Sequence, residues 1–283
     1  MIQANILNHN AVLSMLPDRD PWGHKGSFGK VLLLCGSRGY TGAPYFAAMG
    51  ALRSGAGLVF LGVPESIYEI EAVKLSEPVL FPMPEKEGKF CEQAAGDIES
   101  RLAQMDAILI GPGIGQSPGT LALTRYVLEN AKCPVVVDAD GINVLSEHKD
   151  ILRGRKYPTI LTPHDGEFKR IGGSIGTDRM ASAAALSRDL GCIVLLKGHE
   201  TCITDGQTGY VNQTGNPGMA VGGSGDLLAG VIVSLLGQRL SPMDAAACGA
   251  WLHGAAGDLC AAEIGQYGML PTDMLNALPR LLK

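Results

Sequence analysis

The chain has 283 residues and a formal net charge of −5, and 46% of its residues are hydrophobic while 18% are charged. This composition excludes a disordered chain, and the charge offers no electrostatic footprint for nucleic acid, so we expect a globular protein with no nucleic-acid partner. Glycine is abundant, with 38 residues, nearly twice its usual share of about 7%. Such a composition is typical of an enzyme with many tight turns, where the backbone meets the ligand.

The seven cysteines are scattered, with no CxxC pair and no metal-ligand spacing. An odd number of cysteines in apolar runs predicts reduced thiols, and no signal-peptide pattern is found, so we expect a cytoplasmic protein. The longest apolar run, within residues 227–236, is about half of a membrane span, and we expect no membrane partner.

The first third of the chain predicts a short helix within residues 1–20, strands at 31–35 and 58–63, and a helix over 41–54 between them. Residues 79–83 predict a further strand, placed at a sheet edge by its proline. The segment at 24–30 is rich in glycine, but its spacing is wrong for a P-loop and no Ser or Thr follows Lys30. We therefore reject a P-loop there.

The middle of the chain alternates regularly between predicted helices and apolar strands. A hairpin through Asp205 and Gly206 follows, and the chain is mostly helical from Asp226 onward. This alternation implies a mainly parallel sheet covered on both faces, within one domain over residues 1–283. The predicted helices cover 91–103, 121–130 and 179–190, and the predicted strands cover 107–110, 135–138, 159–162, 192–197, 201–204 and 210–213.

A glycine cluster in residues 214–226 runs directly into an apolar helical segment. Glycines let backbone N–H groups point into one concavity, and the N-terminus of a helix adds unpaired donors, so this stretch predicts an anion site. Asp226 at its mouth has two interpretations. It is either an acid that caps the helix or complements its dipole, or a catalytic base beside a phosphate cradle.

Glycines or polar residues follow almost every predicted strand. The carboxyl ends of parallel strands meet at one crevice, so we expect these clusters to converge on a single site. Each cluster also has a structural alternative: a simple turn at residues 111–115, helix caps at Asp138 and Asp140, and a loop histidine with a capping glutamate at His164 and Glu167. The clusters are 36–43, 111–115, 138–143, 162–167 and 197–201.

The position of the glycine cluster late in the chain separates two classes of protein. A dinucleotide-binding Rossmann domain places its phosphate loop after its first strand, so a conventional dehydrogenase is disfavoured. A kinase-like site is favoured, in which glycine-rich backbone holds nucleotide phosphates and an aspartate accepts a proton from a hydroxyl.

Residues 220–226 resemble the GxGD signature of the ribokinase-like superfamily. The chain as a whole, over roughly residues 20–280, resembles the nucleotide-dependent NAD(P)H-hydrate dehydratases. It departs from the family at Val221 and Ser224, where threonine is frequent. Many relatives carry an additional N-terminal epimerase domain, for which we see no room here. The resemblance rests on segments 24–29, 36–43, 111–115, 138–143, 162–167, 197–198 and 215–226.

The resemblance implies a ribokinase-like three-layer α/β/α fold with a mainly parallel central sheet and no separate lid domain. It implies that the protein repairs the S-hydrate of NADH or NADPH, phosphorylating its hydroxyl with ADP, which gives AMP and phosphate, or with ATP. It also implies Mg²⁺ as cofactor and a homotetramer.

The family's functional residues carry over onto matching positions. Asp226 is implied as the catalytic base and also binds the hydrate, together with Ala43, Gly113 and His164. Asn143 and Glu167 are implied to place Mg²⁺ through water. The implied nucleotide-binding residues are Lys197, Gly198, His199, Glu200, Thr201, Gly222, Gly223 and Gly225.

Two other functions remain open. A small-molecule kinase of the same superfamily, such as a hydroxyethylthiazole or vitamin kinase, shares the GxGD chemistry but releases a stable phosphorylated product. A non-catalytic nucleotide-binding protein would keep its function when Asp226 is replaced.

Overall fold

The computed structural model describes residues 4–282; residues 1–3 and 283, which the predicted domain includes, lie outside the described residues. Ten strands form one sheet, and two form a small separate hairpin, β5–β6. The strands are β1 (Ala4–Ile6), β2 (Lys30–Leu34), β3 (Leu58–Pro64), β4 (Val79–Met83), β5 (Glu85–Lys86), β6 (Lys89–Phe90), β7 (Ala107–Ile110), β8 (Val135–Val137), β9 (Thr159–Leu161), β10 (Ile193–Leu196), β11 (Thr201–Thr204) and β12 (Gly209–Asn212).

The sheet has the order β1-β12-β11-β10-β9-β8-β7-β2-β3-β4. Strands β10, β11 and β12 pair antiparallel, and all other neighbours in the sheet pair parallel. The run from β10 to β4 therefore points its carboxyl ends toward one edge, where a ligand crevice is expected.

Helices cover both faces of the sheet, which gives three layers. They are α1 (His9–Met15), α2 (Gly42–Arg53), α3 (Glu65–Lys74), α4 (Ala94–Asp97), α5 (Glu99–Leu102), α6 (Pro118–Asn130), α7 (Asp140–Val144), α8 (Asp150–Arg153), α9 (Asp165–Arg170), α10 (Arg179–Leu190), α11 (Ser224–Gly237), α12 (Pro242–Ile264) and α13 (Pro271–Ala277).

Alternate residues of the central strands enter different cores, because successive side chains of a strand point to opposite faces. In β2, Val31 and Leu33 pack with α2, α11 and α12, whereas Leu32 and Leu34 pack with α6 and α10. Both faces are apolar, as expected for parallel strands buried on both sides.

Helices α2 and α11 cross at very close range through glycine. A Cβ at Gly50 would lie 2.6 Å from the carbonyl oxygen of Leu227, and one at Gly230 would lie 2.1 Å from that of Ala47. Only glycine allows this approach. It brings the glycine cluster at the start of α11 against the N-terminal part of α2.

Most of the elements predicted from the sequence are present, but the structure differs from the predictions in several places. The first twenty residues contain strand β1 before helix α1. The predicted helix over 91–103 is two four-residue helices, α4 and α5, and Gly96 lies in the first of them, where glycine disfavours a continuous helix. Helices α3 and α8 and the hairpin β5–β6 were not predicted. Strand β4 lies at the sheet edge and β11–β12 form the hairpin, as predicted.

One sheet runs from Ala4 to Asn212, which is compatible with a single domain, although that organisation stays a prediction. No helix of residues 4–282 has both the length and the apolar character needed to cross a membrane.

Candidate active site

The N-terminus of α11 forms a backbone cradle, which we define as residues 222–226. The helix begins at Ser224 after Gly223, whose φ is 95°, and no side chain caps it. Among the described residues, the N–H groups of Gly222, Gly223 and Gly225 donate to no protein acceptor. Asp226 lies in the first turn and is not the N-cap, so the capping interpretation is wrong while its proximity to the helix dipole is confirmed.

The three glycines of the cradle are required for different reasons. A Cβ at Gly223 would lie 2.5 Å from the ring of Phe46, and its φ is in the left-handed region, so the fold itself requires glycine. A Cβ at Gly222 would meet nothing within 4 Å, and one at Gly225 would meet only the Nζ of Lys197, at 3.6 Å. The fold does not require glycine at either of these positions. An anion that approaches the backbone closely would require it.

The pKa of Asp226 is raised from 3.8 to about 7, mainly by burial and then by the charge of Asp138, while Lys197 opposes the shift. A carboxyl with a pKa near neutrality exists in both protonation states at physiological pH. That is the property required of a general base that must take up a proton and later release it.

A second set of groups, which we call the charge cluster, consists of Asp138, Thr162, Glu167 and Lys197. Asp138 is 1% exposed, and its Oδ1 accepts from the Lys197 Nζ at 2.9 Å and from the Thr162 hydroxyl at 2.7 Å. The Lys197 Nζ also lies 3.9 Å from Glu167. Asp138 is therefore not a helix cap; Ala139 precedes α7, and the aspartate neutralises a largely buried lysine.

His164 and Glu167 form a capping box at the start of α9. The His164 Nδ1 accepts from the N–H of Gly166 at 2.9 Å, and Glu167 accepts from the His164 N–H, also at 2.9 Å. The predicted capping role of Glu167 is therefore confirmed, whereas His164 is the N-cap of α9 and not an ordinary loop histidine. With Nδ1 engaged, the ring can present Nε2, which lies 3.3 Å from Glu167, and the side chain as a whole is exposed.

Arg179 connects this segment to the loop after β10. Its guanidinium donates to both carboxylate oxygens of Asp165, at 2.8 and 3.1 Å, and to the carbonyl oxygen of Lys197 at 3.0 Å. The bidentate pair lowers the pKa of Asp165 and raises that of Arg179. Sequence reasoning did not single out either residue.

The loops after β2 and β7 contact each other at the same edge of the sheet. The Ser37 hydroxyl donates to the carbonyl oxygen of Gly113 at 2.7 Å, and the Gly36 N–H donates to that of Pro112 at 2.8 Å. A Cβ at Gly113 would lie 2.9 Å from that of Ala43, so these two predicted hydrate-binding residues touch. The Gly115 N–H donates to Asp140 at 2.9 Å, so direct contacts join these loops to the loop after β8, as the predicted convergence of the strand-end clusters requires.

The other predicted nucleotide-binding residues lie in the segment from the end of β10 to the first residue of β11. In the loop before β11, Thr201 closes a turn with Gly198 and Glu200 bonds to Gln213, and His199 is exposed. Nucleotide binding by these residues therefore stays a prediction.

The predicted Mg²⁺ ligands do not form a metal cage. Asn143 accepts from Arg170 and donates to Asp140, and both Glu167 oxygens face His164. Within the described part of the chain, no three His, Cys, Asp or Glu side chains are grouped to hold a metal ion. The oxygen donors suit Mg²⁺ only through water, in the way that it binds with substrate phosphates.

Sequence reasoning also missed a buried pair behind the cradle. The Oγ of Ser224 lies 3.1 Å from the Nε2 of His253, in the middle of α12. A histidine within a run of alanine and glycine was the available signal, but which residue it contacts depends on how α12 packs against α11.

The fold and the combination of a late glycine cradle with an acid define a ribokinase-like protein. A ribokinase from Arabidopsis thaliana has the same fold, with a TM-score of 0.60 at 15% identity over 90% of this chain and 99% of that one. A Bacillus subtilis ADP/ATP-dependent NAD(P)H-hydrate dehydratase, co-crystallised with ATP and Mg²⁺, is much more similar. Its TM-score is 0.85 at 30% identity, over 99% of this chain and 98% of that one.

Residues 31–280 match the family model described as NAD(P)H-hydrate dehydratase. The chain belongs to this family. It is 45% identical over 277 residues to the bifunctional NAD(P)H-hydrate repair enzyme Nnr of Moorella thermoacetica, which covers 95% of this chain. The chain spans about half the length of the curated relatives it matches, 52% in that case.

Proposed function

We propose that this protein dehydrates the S-form of NAD(P)H hydrate to NAD(P)H, using ADP or ATP, and so repairs a damaged nicotinamide cofactor. The family match and the similarity to the Bacillus subtilis dehydratase support this proposal. The single observation that carries the mechanism is Asp226, half-buried at the mouth of the cradle with a pKa raised to about 7.

In the first step, the Asp226 carboxylate removes the proton from the hydroxyl at C6 of the hydrated ring. The alkoxide oxygen forms a bond to the terminal phosphorus of the nucleotide, and the bond from that phosphorus to the leaving nucleotide breaks. With ADP the leaving group is AMP. The N–H groups of Gly222, Gly223 and Gly225 would stabilise the negative charge on the transferring phosphoryl group, since backbone donors that are already oriented need no reorganisation.

In the second step, the bond between C6 and its oxygen breaks, and phosphate leaves as the lone pair of the ring nitrogen forms a double bond to C6. Transfer of a proton from C5 to the departing phosphate then restores the C5–C6 double bond of the dihydronicotinamide. Phosphate is a far better leaving group than hydroxide, which is why a kinase-like site can perform a dehydration.

The crevice wall at Ala43 and Gly113 would hold the hydrate, and His164 would contact it through the exposed edge of its ring. Residues 197–201 would hold the nucleotide. Mg²⁺ would neutralise the nucleotide phosphates, held by their oxygens and, through water, by Glu167. Asn143 is less suited, because its carbonyl oxygen already accepts from Arg170.

The assay that tests this function follows the return of dihydronicotinamide absorbance when the protein meets the S-hydrate, Mg²⁺ and either ADP or ATP. We expect recovery together with release of free phosphate. No recovery with either nucleotide would contradict the proposal. A stable phosphorylated small molecule without free phosphate would instead indicate a kinase.

We further propose a cytoplasmic homotetramer, which the family resemblance supports. The small-residue stretch of α12 gives no support, because its residues 245–257 are buried within the chain's own core. Sedimentation velocity at micromolar concentration tests the oligomeric state, and a monomer would contradict it.

A further inference from the structure

A buried polar pair joins the cradle to the helix behind it. His253 is 9% exposed and Ser224 is 7% exposed, and the Ser224 Oγ lies 3.1 Å from the His253 Nε2. Burial of two polar side chains costs free energy unless they bond to each other. Ser224 stands between Gly223 and Gly225, so this bond fixes the cradle at its centre.

The same part of α12 also holds the segment that leads into the cradle. Asp258 accepts from the N–H of Gly215 at 2.8 Å and from the side chain of Asn216 at 3.0 Å. The hydroxyl of Thr214 donates to the carbonyl oxygen of Trp251 at 3.0 Å. Residues 251–258 therefore form a platform beneath residues 214–216, and His253 is the platform's contact with the cradle itself.

The imidazole of His253 is neutral at physiological pH. Its pKa is lowered to about 4, mainly by burial and also by the nearby positive charge of Lys197. A neutral ring adds no charge to the phosphate site, so its contribution is geometric. It fixes the Ser224 hydroxyl and, through it, the backbone at the first turn of α11.

We propose that His253 is a positioning residue for phosphoryl transfer, which holds Ser224 and the cradle's backbone donors in the orientation that the transferring phosphoryl group requires. The identity of the reaction rests on the proposed function, whereas the contact between Ser224 and His253 is independent of it. Donors that must be aligned in the transition state affect kcat more than the binding of the hydrate.

The experiment compares two ways of breaking the pair. His253→Phe keeps a ring but removes the polar atoms, and Ser224→Ala removes the hydroxyl. We expect each to lower kcat at least about tenfold with the KM for the hydrate changed less than about twofold. His253→Gln and Ser224→Thr, which retain a polar partner, should recover most of the lost activity. The double variant His253→Phe with Ser224→Ala should be no slower than the slower single variant.

The matched control is Cys248→Ala, a buried truncation on the same helix whose thiol contacts Met15. It should leave kcat unchanged. Wild-type kcat in both His253→Phe and Ser224→Ala, losses that multiply in the double variant, or an equal loss in Cys248→Ala would each overturn the proposal.

Failure of the proposed function gives a different result, because then the wild-type protein itself does not restore the hydrate. Calorimetric titration with ADP and ATP tests the positioning role in that case. Weaker binding in His253→Phe and Ser224→Ala, again without additivity, supports the role. Unchanged affinity, or a wild-type protein that binds neither nucleotide, overturns it.

Discussion

In the charge cluster the polar side chains bond to one another, whereas in the cradle the polar groups are backbone donors without a protein acceptor among residues 4–282. Asp138 engages both Lys197 and Thr162. The cradle, by contrast, contains two glycines, Gly222 and Gly225, that have room for a Cβ. The polar side chains of the charge cluster find their partners within the protein, whereas the backbone donors of the cradle are available to a ligand.

The comparison separates residues that the fold requires from residues that a ligand requires. Gly223 and Gly225 are two positions apart and look equivalent in the sequence. Only Gly223 is fixed by the fold, through its φ and its contact with Phe46. Asp226 links the two regions, because it lies in the cradle while its pKa depends on its burial and on the charges of Asp138 and Lys197.

The largest effect is expected for Asp226→Asn, which removes the base and keeps the shape. We expect kcat to fall about 10²- to 10⁴-fold with the affinity for nucleotide retained. Single-turnover measurement of dihydronicotinamide recovery checks the rate, and calorimetry checks the binding. Activity near the wild-type level would show that the cradle works without this acid.

The same variant should also be more stable than the wild-type protein above neutral pH. The folded-state pKa of Asp226 lies above its unfolded value, so its contribution is favourable at low pH and is lost as pH rises from about 4 through about 7. Asparagine has no such loss. Thermal unfolding at pH 5 and pH 8 should therefore show a Tm advantage for the variant that is larger at pH 8.

A smaller effect comes from alanine at the three cradle glycines. Gly223→Ala should lower the free energy of unfolding by about 1–3 kcal/mol, because the added Cβ is strained and strikes Phe46. Gly222→Ala and Gly225→Ala should retain stability but weaken nucleotide binding by about tenfold, which is roughly 1.4 kcal/mol. Denaturant unfolding and calorimetry together check this. A loss of stability at Gly222 and Gly225 with a loss of binding at Gly223 would contradict this assignment.

The pH dependence of kcat/KM tests the coupling between the two regions. We expect kcat/KM to fall about tenfold per pH unit below pH 7, since only the Asp226 carboxylate is active. Lys197 lowers the pKa of Asp226 and Asp138 raises it. Lys197→Met should therefore move the acid limb to higher pH and Asp138→Asn to lower pH. Shifts in the same direction would refute the coupling.

The smallest effect is expected for Arg179→Lys, which keeps the charge but loses the bidentate bond to Asp165. The loop after β10 should become less ordered, and the KM for nucleotide should rise up to about fivefold, in line with the energies of exposed ion pairs. Steady-state kinetics with the nucleotide varied would check this. Arg153→Lys, at the exposed pair with Asp189, is the control and should leave KM unchanged.

Much of the architecture is predictable from the sequence because the strands are continuous apolar runs bounded by glycine. Helix α10 and the hairpin β11–β12 lie where the pattern places them. The site's location follows from the same logic, since the carboxyl ends of parallel strands must meet. The cradle can be predicted from its glycines because glycine adopts backbone conformations that other residues rarely adopt.

What escaped prediction depends on contacts between distant parts of the chain. Strand β1 has three residues and no pattern of its own, and it exists because it pairs with β12. Asp138 pairs with Lys197 instead of capping a helix, and Ser224 pairs with His253. Predicting either contact requires knowing which elements are neighbours. The local sequence of such residues is compatible with a cap or with a contact to a distant residue, and tertiary packing determines which one forms.

The pairing of β1 with β12 has a consequence for how the protein is made. Ala4–Ile6 can find their partner only after the ribosome has added Gly209–Asn212, and His9 of α1 stacks on Trp251, which is synthesised later still. The emerging N-terminal segment must therefore wait unpaired through most of translation, the interval in which exposed strands are most prone to misassociation. Residues 214–226 follow directly after β12. The sheet edge closes and the cradle is completed in the same late interval, so a truncated chain lacks both.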